Sequence, residues 1–248
     1  MPEGVRIGCA GWSLPAAAAA AFPGPGSQLE RYARVFDAVE INSTFHRSHR
    51  PATYERWAAS VPAAFRFSAK LPKAITHVRR LAGVENELRA FLDGVRCLGG
   101  RLGPLLVQLP PSLAFDPGTT LAFLEALRRL HGGPVACEPR HATWFRADVE
   151  AALAERRVAR VAADPPPVPG AWRPGGWPGL AYFRLHGSPQ IYRSSYDDGF
   201  LEWLETQLAG LADGAEAWVV FDNTAAGAAT GNARALLGRL RGRRAPRP

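Results

Sequence analysis

LAYFRLHG, residues 180 to 187, alternates two kinds of side chain: Ala181, Phe183 and Leu185 are apolar, while Tyr182, Arg184 and His186 are polar. Side chains leave a β-strand on opposite faces with a period of two, so one face of this segment is apolar and the other carries a phenol, a guanidinium and an imidazole. The same parity recurs along the chain. In AVEINSTF from Ala38, Val39 and Ile41 alternate with Glu40, Asn42 and Thr44; in FRFSAKL from Phe65, Phe67 and Ala69 alternate with Arg66, Ser68 and Lys70. In PVACEPR from Pro134, Val135 and Cys137 stand against Glu138 and Arg140, and AWVVFDNT from Ala217 sets Val219 and Phe221 against Trp218, Val220 and Asp222.

Three further strand candidates, VRIGCAGW from Val5, PLLVQLP from Pro104 and VARVAADP from Val158, bring the total to eight. Amphipathic stretches near 28–36, 51–60, 84–98, 119–131, 146–157, 198–211 and 229–241 lie between them. Strands alternating with helices predict an α/β fold of parallel strands, a (β/α)8 TIM-like barrel. The apolar strand face then meets the helices and the polar face meets the lumen. One helix is missing between strands six and seven. Pro165, Pro166, Pro167, Pro169, Pro174 and Pro178 exclude a regular helix from 165–179, so a Pro-rich loop carrying Trp172 and Trp177 is expected there, as a lid over the mouth.

A polar lumen requires paired charges to offset desolvation. The parity places Arg6, Arg66, Lys70, Arg140, Arg160 and Arg184 inside against Glu40, Glu138, Asp164 and Asp222, a cationic surplus suited to an anionic ligand at the open end.

With 248 residues, 47% hydrophobic and 21% charged, the chain has the composition of an ordinary globular domain, and 1–238 are expected to form one barrel domain. No apolar run approaches the roughly 20 residues of a membrane span and no secretory leader is apparent, so a cytoplasmic location is expected. The three cysteines form no C-x-x-C pair and suggest packing residues. The formal charge is +8, but Arg239, Arg241, Arg243, Arg244 and Arg247 cluster in 239–248; without them the body carries +3. That segment is expected to be a disordered basic tail, with nucleic acid as one partner it could touch.

In barrels of this architecture chemistry sits at the carboxyl ends of the strands. The candidates there are His186 as general acid or base, with Lys70 and Asp164 beside it. Asn42, Thr44, Gln108, Arg140, His141, Trp144, Arg184 and Gly231 are the candidate substrate contacts. Gly227, Thr230 and Gly231 open the last helix, whose free amides could hold a phosphate. Glu138, Asp164, His186 and Asp222 form an oxygen and imidazole set able to bind a divalent metal ion, unless Arg140 and Arg184 pair with the carboxylates instead. No Walker loop, G-x-S-x-G elbow, dinucleotide fingerprint or zinc-finger spacing occurs.

Seven ordered segments resemble the YecE-like proteins, the domain of unknown function 72 family: GCAGW from Gly8, VEINSTFHR from Val39, FSAKLPKAITHVRRL from Phe67, LGPLLVQLPPSLAFD from Leu102, EPRHATWF from Glu138, YFRLHG from Tyr182 and FDNTAAGAATGNA from Phe221. The resemblance implies a TIM-like barrel and supplies no reaction. Three functional readings follow: an enzyme acting on a phosphorylated or otherwise anionic small molecule at the strand rim, a nucleic-acid-binding barrel of endonuclease-like ancestry, and a non-catalytic binding module.

Overall fold

A computed structural model describes residues 4–242. Its strands are β1 (Val5–Cys9), β2 (Ala38–Ile41), β3 (Arg66–Lys70), β4 (Leu102–Gln108), β5 (Val135–Glu138), β6 (Val158–Arg160), β7 (Ala162–Asp164), β8 (Gly175–Gly176), β9 (Leu180–Leu185) and β10 (Glu216–Phe221). The helices are α1 (Gln28–Ala33), α2 (Pro51–Ala59), α3 (Glu85–Val95), α4 (Pro117–Leu130), α5 (Ala147–Glu155), α6 (Asp198–Ala209) and α7 (Ala228–Gly242). Local chemistry starts several of them. Ser27 and Glu30 form a capping box on α1, while Asp116 and Asp197 cap α4 and α6 through the amides of Thr119 and Phe200.

Two mostly parallel sheets result, ordered β1-β10-β9-β7 and β2-β3-β4-β5-β6-β8, and neither is closed. The expected α/β fold of parallel strands is thus present as a mixed α/β fold with two mostly parallel sheets. The sheets meet at two places. Strand six divides at Val161, leaving β6 in one sheet and β7 in the other, although the Val161 amide still donates to Cys137 O at 2.8 Å. Between β1 and β2 there is a single bridge, Ala10 to Glu40, with the Gly11 amide donating to Glu40 O at 2.9 Å.

The apolar strand face packs on the helices, with Ile7, Val39, Phe67, Val107, Phe183 and Val219 fully buried in that layer. The opposite face is not polar throughout. Ala38, Leu106, Ala136, Ala159, Tyr182, Trp218 and Val220 form a second, inner apolar cluster. Tyr182 and Trp218 stack there at 6.0 Å.

Three of the expected inner cations lie elsewhere. Arg6 pairs with Glu216 at 3.2 Å and reaches Asp37 at 4.0 Å, while Arg66 donates to the carbonyls of Ala63 and Phe65. These two sit at the start of their strands. Arg160 pairs with Glu150 of α5 and covers the Phe145 ring, on the helix-facing side.

The Pro-rich segment holds no helix, as expected, but it is not a lid. Gly175 and Gly176 pair antiparallel with Arg160 and Ala159, carrying the chain back toward the start of β6, and Trp172 packs edge-on against Trp203 of α6 at 5.4 Å. The segment thus occupies the return path that a helix takes elsewhere. The first part of the segment expected as a tail is helical: α7 continues to Gly242, and Arg239 pairs with Glu205 and Asp198. Residues 243–248 of that tail lie outside the described residues. Among the described residues no helix is long and apolar enough to cross a membrane.

Gly8 shows how closely β1 and β2 approach. A Cβ there would lie 2.0 Å from Ala38 O and 2.9 Å from the Tyr32 hydroxyl. Both neighbours are held, because Tyr32 Oη accepts from the Cys9 amide and donates to Ala38 O. Gly8→Ala should therefore destabilise the fold by at least the roughly 1–3 kcal/mol typical of overpacking, measured by urea denaturation. Gly100→Ala, where a Cβ meets nothing within 4 Å, should leave the midpoint nearly unchanged; equal midpoints for the two variants would contradict the close approach.

Candidate active site

Three carboxylates from separate strand ends converge on one buried guanidinium. Arg184 on β9 places Nη2 2.8 Å from Glu40 Oε1 and 3.0 Å from Asp222 Oδ2, with Nη1 3.2 Å from Glu138 Oε2. Glu40 is the penultimate residue of β2, Glu138 ends β5 and Asp222 follows β10. His186, two residues after Arg184 on the same face, sits between two of these carboxylates, with Nε2 2.8 Å from Glu138 Oε1 and Nδ1 3.0 Å from Asp222 Oδ2. Below them Tyr182 donates its hydroxyl toward Glu40 Oε2 at 3.0 Å and lies 2.9 Å from Ser68 Oγ. Arg140 reaches Glu138 Oε1 from the outer side at 3.3 Å.

An imidazole facing a carboxylate at each nitrogen can donate from both only as the imidazolium. Burial alone would lower the His186 pKa, but the Glu138 charge and hydrogen bonds to Asp222 and Glu138 outweigh burial and the opposing Arg184 charge, so it is raised above 6.5. Glu138 and Asp222 are held below the ordinary carboxylate range: burial opposes this, but Arg184 and His186 prevail. Charge is closely matched, with Lys70, Arg140 and Arg184 against Glu40, Glu138 and Asp222. The expected cationic surplus is thus reduced to the charge on His186.

Lys70 ends β3 and is 7% exposed. Its ammonium stands 4.2 Å from the Phe45 ring centroid, and among the described residues it makes no ion pair. Burial, followed by repulsion from Arg184, lowers its pKa, while the three carboxylates partly offset this. His77 packs edge-on against Phe45 at 4.9 Å. It belongs to a π-helical turn, Ala74–Val78, of a kind frequent at functional sites.

The remaining candidates divide. Asn42 and Gln108 are half-buried at the ends of β2 and β4, and Gln108 lies in register with Glu138. Thr44 is a structural residue, its hydroxyl 2.8 Å from Ile41 O and 2.6 Å from Lys70 O. His141 caps a 3-10 turn through Thr143. Trp144 is buried, donates to Leu113 O at 2.9 Å and packs edge-on against Phe115, so it offers no stacking face to a ligand. Gly231 is exposed on α7.

Asp164 does not join the network. Its Oδ2 accepts from the Tyr196 hydroxyl at 2.7 Å, which itself accepts from the Gly187 amide, so it anchors the loop after β9. This also splits the expected metal-binding set. Glu138, His186 and Asp222 converge around a guanidinium, and among the described residues no three His, Cys, Asp or Glu groups are arranged to hold a metal ion. One participant comes from the hydroxyl-rich loop after Gly187 and not from a strand end. Tyr192, at φ +68°, lays its half-exposed ring edge-on over His186 at 5.6 Å.

Linkage gives this network a pH signature. The raised His186 pKa contributes stability that is complete below 6.5 and is lost as pH rises through the folded value. The lowered Glu138 and Asp222 values contribute stability present above 4.5 and 3.8, lost as pH falls through their folded values. The stability difference between the native chain and His186→Gln should therefore be largest between about pH 5 and 6.5 and shrink at higher pH. Urea denaturation across that range checks this; a difference that does not change with pH would show that His186 is not held as the cation.

The chain is similar to known proteins in sequence and in fold. Over 148 residues the chain is 32% identical to the UPF0759 protein YecE of Escherichia coli K12, and the match covers 57% of this chain and 54% of that protein. It thus spans about half the length of that curated relative, and the O157:H7 form matches over the same extent. Two crystal structures share the fold. A DUF72 family protein from Thermotoga maritima MSB8 superimposes with a TM-score of 0.80 at 25% identity, covering 96% of this chain and 100% of that one. One from Enterococcus faecalis V583 gives 0.81 at 21% identity, covering 96% and 95%. The family model described as "Protein of unknown function DUF72" matches residues 6–248, and the chain therefore belongs to the DUF72 family.

Proposed function

We propose that this chain is an enzyme acting on a phosphorylated or otherwise anionic small molecule, bound where its strands end. In this reading the two sheets are one eight-stranded TIM-like barrel interrupted at two places. The support is that β6 and β7 are separated by Val161 alone and that Ala10 bridges to Glu40.

The observation that carries the proposal is the Lys70 ammonium: nearly buried, facing the carboxylate cluster, yet with an aromatic ring and no carboxylate as its contact. Burying a cation costs several kcal/mol unless it is paired, and such a group at a strand end is suited to receive an anion. Lys70 and Arg140 then contact the anion, with Asn42 and Gln108 at the same rim. His186 is the proton donor, held charged by Glu138 and Asp222 and sheltered by Tyr192. Arg184 is reassigned from substrate clamp to scaffold, because its donors are spent on Glu40, Glu138 and Asp222.

Proton donation by a positioned imidazolium typically contributes 10²–10⁴-fold to a reaction (roughly, by general acid catalysis). The raised His186 pKa keeps that proton available toward neutral pH, and movement of Tyr192 would expose it.

Phosphate should raise the melting temperature in proportion to the logarithm of its concentration above Kd, by about 2–4 °C per kcal/mol of stabilisation for a domain of this size. Chloride at equal ionic strength should not. Lys70→Met should lose the part of the shift that belongs to the mouth, reading as a smaller shift at equal phosphate concentration. A Lys70→Met protein that keeps the whole phosphate effect would overturn the anion reading of this site.

A further inference from the structure

We infer that a second pocket, between the loop leaving β1 and the first turn of α7, is an oxyanion subsite for the phosphate of a phosphomonoester. This rests on the reading above that the substrate is anionic, and places a second charged part of it.

The pocket has a volume of about 260 Å³, and its walls include Cys9, Gly11, Ser13, Thr224, Gly227 and Thr230. No acidic or basic side chain lines it. Its donors are of another kind. α7 is a fifteen-residue helix, and the amides of its first turn have no acceptor within the helix. The Gly227 and Ala229 amides are used by Thr224 O and Asn223 O, whereas those of Ala228 and Thr230 have no backbone acceptor among the described residues. The helix dipole adds partial positive charge at the same end.

Thr230 supplies the independent observation. It is 4% exposed, lines the pocket, and its Oγ1 is buried without a hydrogen-bond partner. A buried hydroxyl left unpaired costs about 1–3 kcal/mol, so its presence at the pocket wall points to a partner that arrives with a ligand. The Ser13 and Thr224 hydroxyls stand at the exposed side. Gly11 at φ +98° leaves open space where a Cβ would be, and Gly227 at φ +76° turns the chain into the helix against Pro15.

A tetrahedral dianion with several acceptor oxygens matches amides and hydroxyls arriving from more than one direction. Asp222 lies near, since the Ala10 amide donates to the carbonyl of the preceding Phe221 at 2.9 Å, but its charge is already engaged by Arg184 and His186. A ligand with its phosphate here would extend over the end of β10 toward His186.

Calorimetric titration of inorganic phosphate into the full chain at fixed ionic strength tests the subsite. The native protein should bind two phosphates, Lys70→Met one, and Thr224→Glu one, because the new carboxylate enters the pocket from an exposed position that does not challenge folding. Thr230→Val should weaken one of the two sites about ten-fold or more, and Thr230→Ser should restore it. If Thr224→Glu and Thr230→Val both bind phosphate as the native chain does, the subsite is refuted. If instead Lys70→Met is the variant that binds as the native chain does, while Thr224→Glu loses a site, the pocket stands and the reading of the mouth falls.

Discussion

The Arg184 guanidinium is the constraint on which the site depends. It is 1% exposed and shared among Glu40, Glu138 and Asp222, whose backbones belong to three different strand ends in the two sheets. Each carboxylate alone would be costly to bury, and a buried pair loses about 3–5 kcal/mol when one partner is removed. Here one cation satisfies three anions, which ties β2 and β5 of one sheet to β9 and β10 of the other. The hydrogen-bond ladders leave those sheets separate, so the ion network does across the interior what backbone pairing does along the edges.

The same arrangement sets the chemistry of His186. Had Arg184 been absent, Glu138 and Asp222 would repel one another across the imidazole; with it present, both remain ionised and hold the ring between them. Lys70 then differs in kind from its neighbours, because the carboxylates within reach are already engaged. Its contact is the Phe45 ring and not a carboxylate, and this separates its environment from that of Arg184.

Much of this was legible wherever a strand contrasts its two faces. Glu40, Ser68, Lys70, Glu138, Tyr182, Arg184, His186 and Asp222 all lie on the polar parity and all face inward. Parity failed in VARVAADP, where Val158, Ala159, Val161, Ala162 and Ala163 are apolar on both faces and give no contrast. The inner residues there are Ala159 and Val161, so Arg160 and Asp164, which share the opposite parity, leave the interior for Glu150 and Tyr196. Residues beyond the strand ends were harder to place, since loops have no period. Trp144 beneath its loop, Tyr192 above His186 and the descending Pro-rich segment depend on contacts between distant parts of the chain. The inner apolar cluster was missed for a related reason: Ala38, Leu106 and Ala136 are small or isolated apolar residues that only their register unites.

The central claim is that His186 is held as an imidazolium by two buried carboxylates that Arg184 keeps ionised. Proton-detected ¹⁵N spectra of the histidine rings, assigned by loss of one set of signals in His186→Gln, measure this directly. The account predicts that both His186 ring nitrogens carry protons at pH 6.5 and that the ring titrates only above that value. A neutral His186 tautomer at pH 6.5 or below would contradict it.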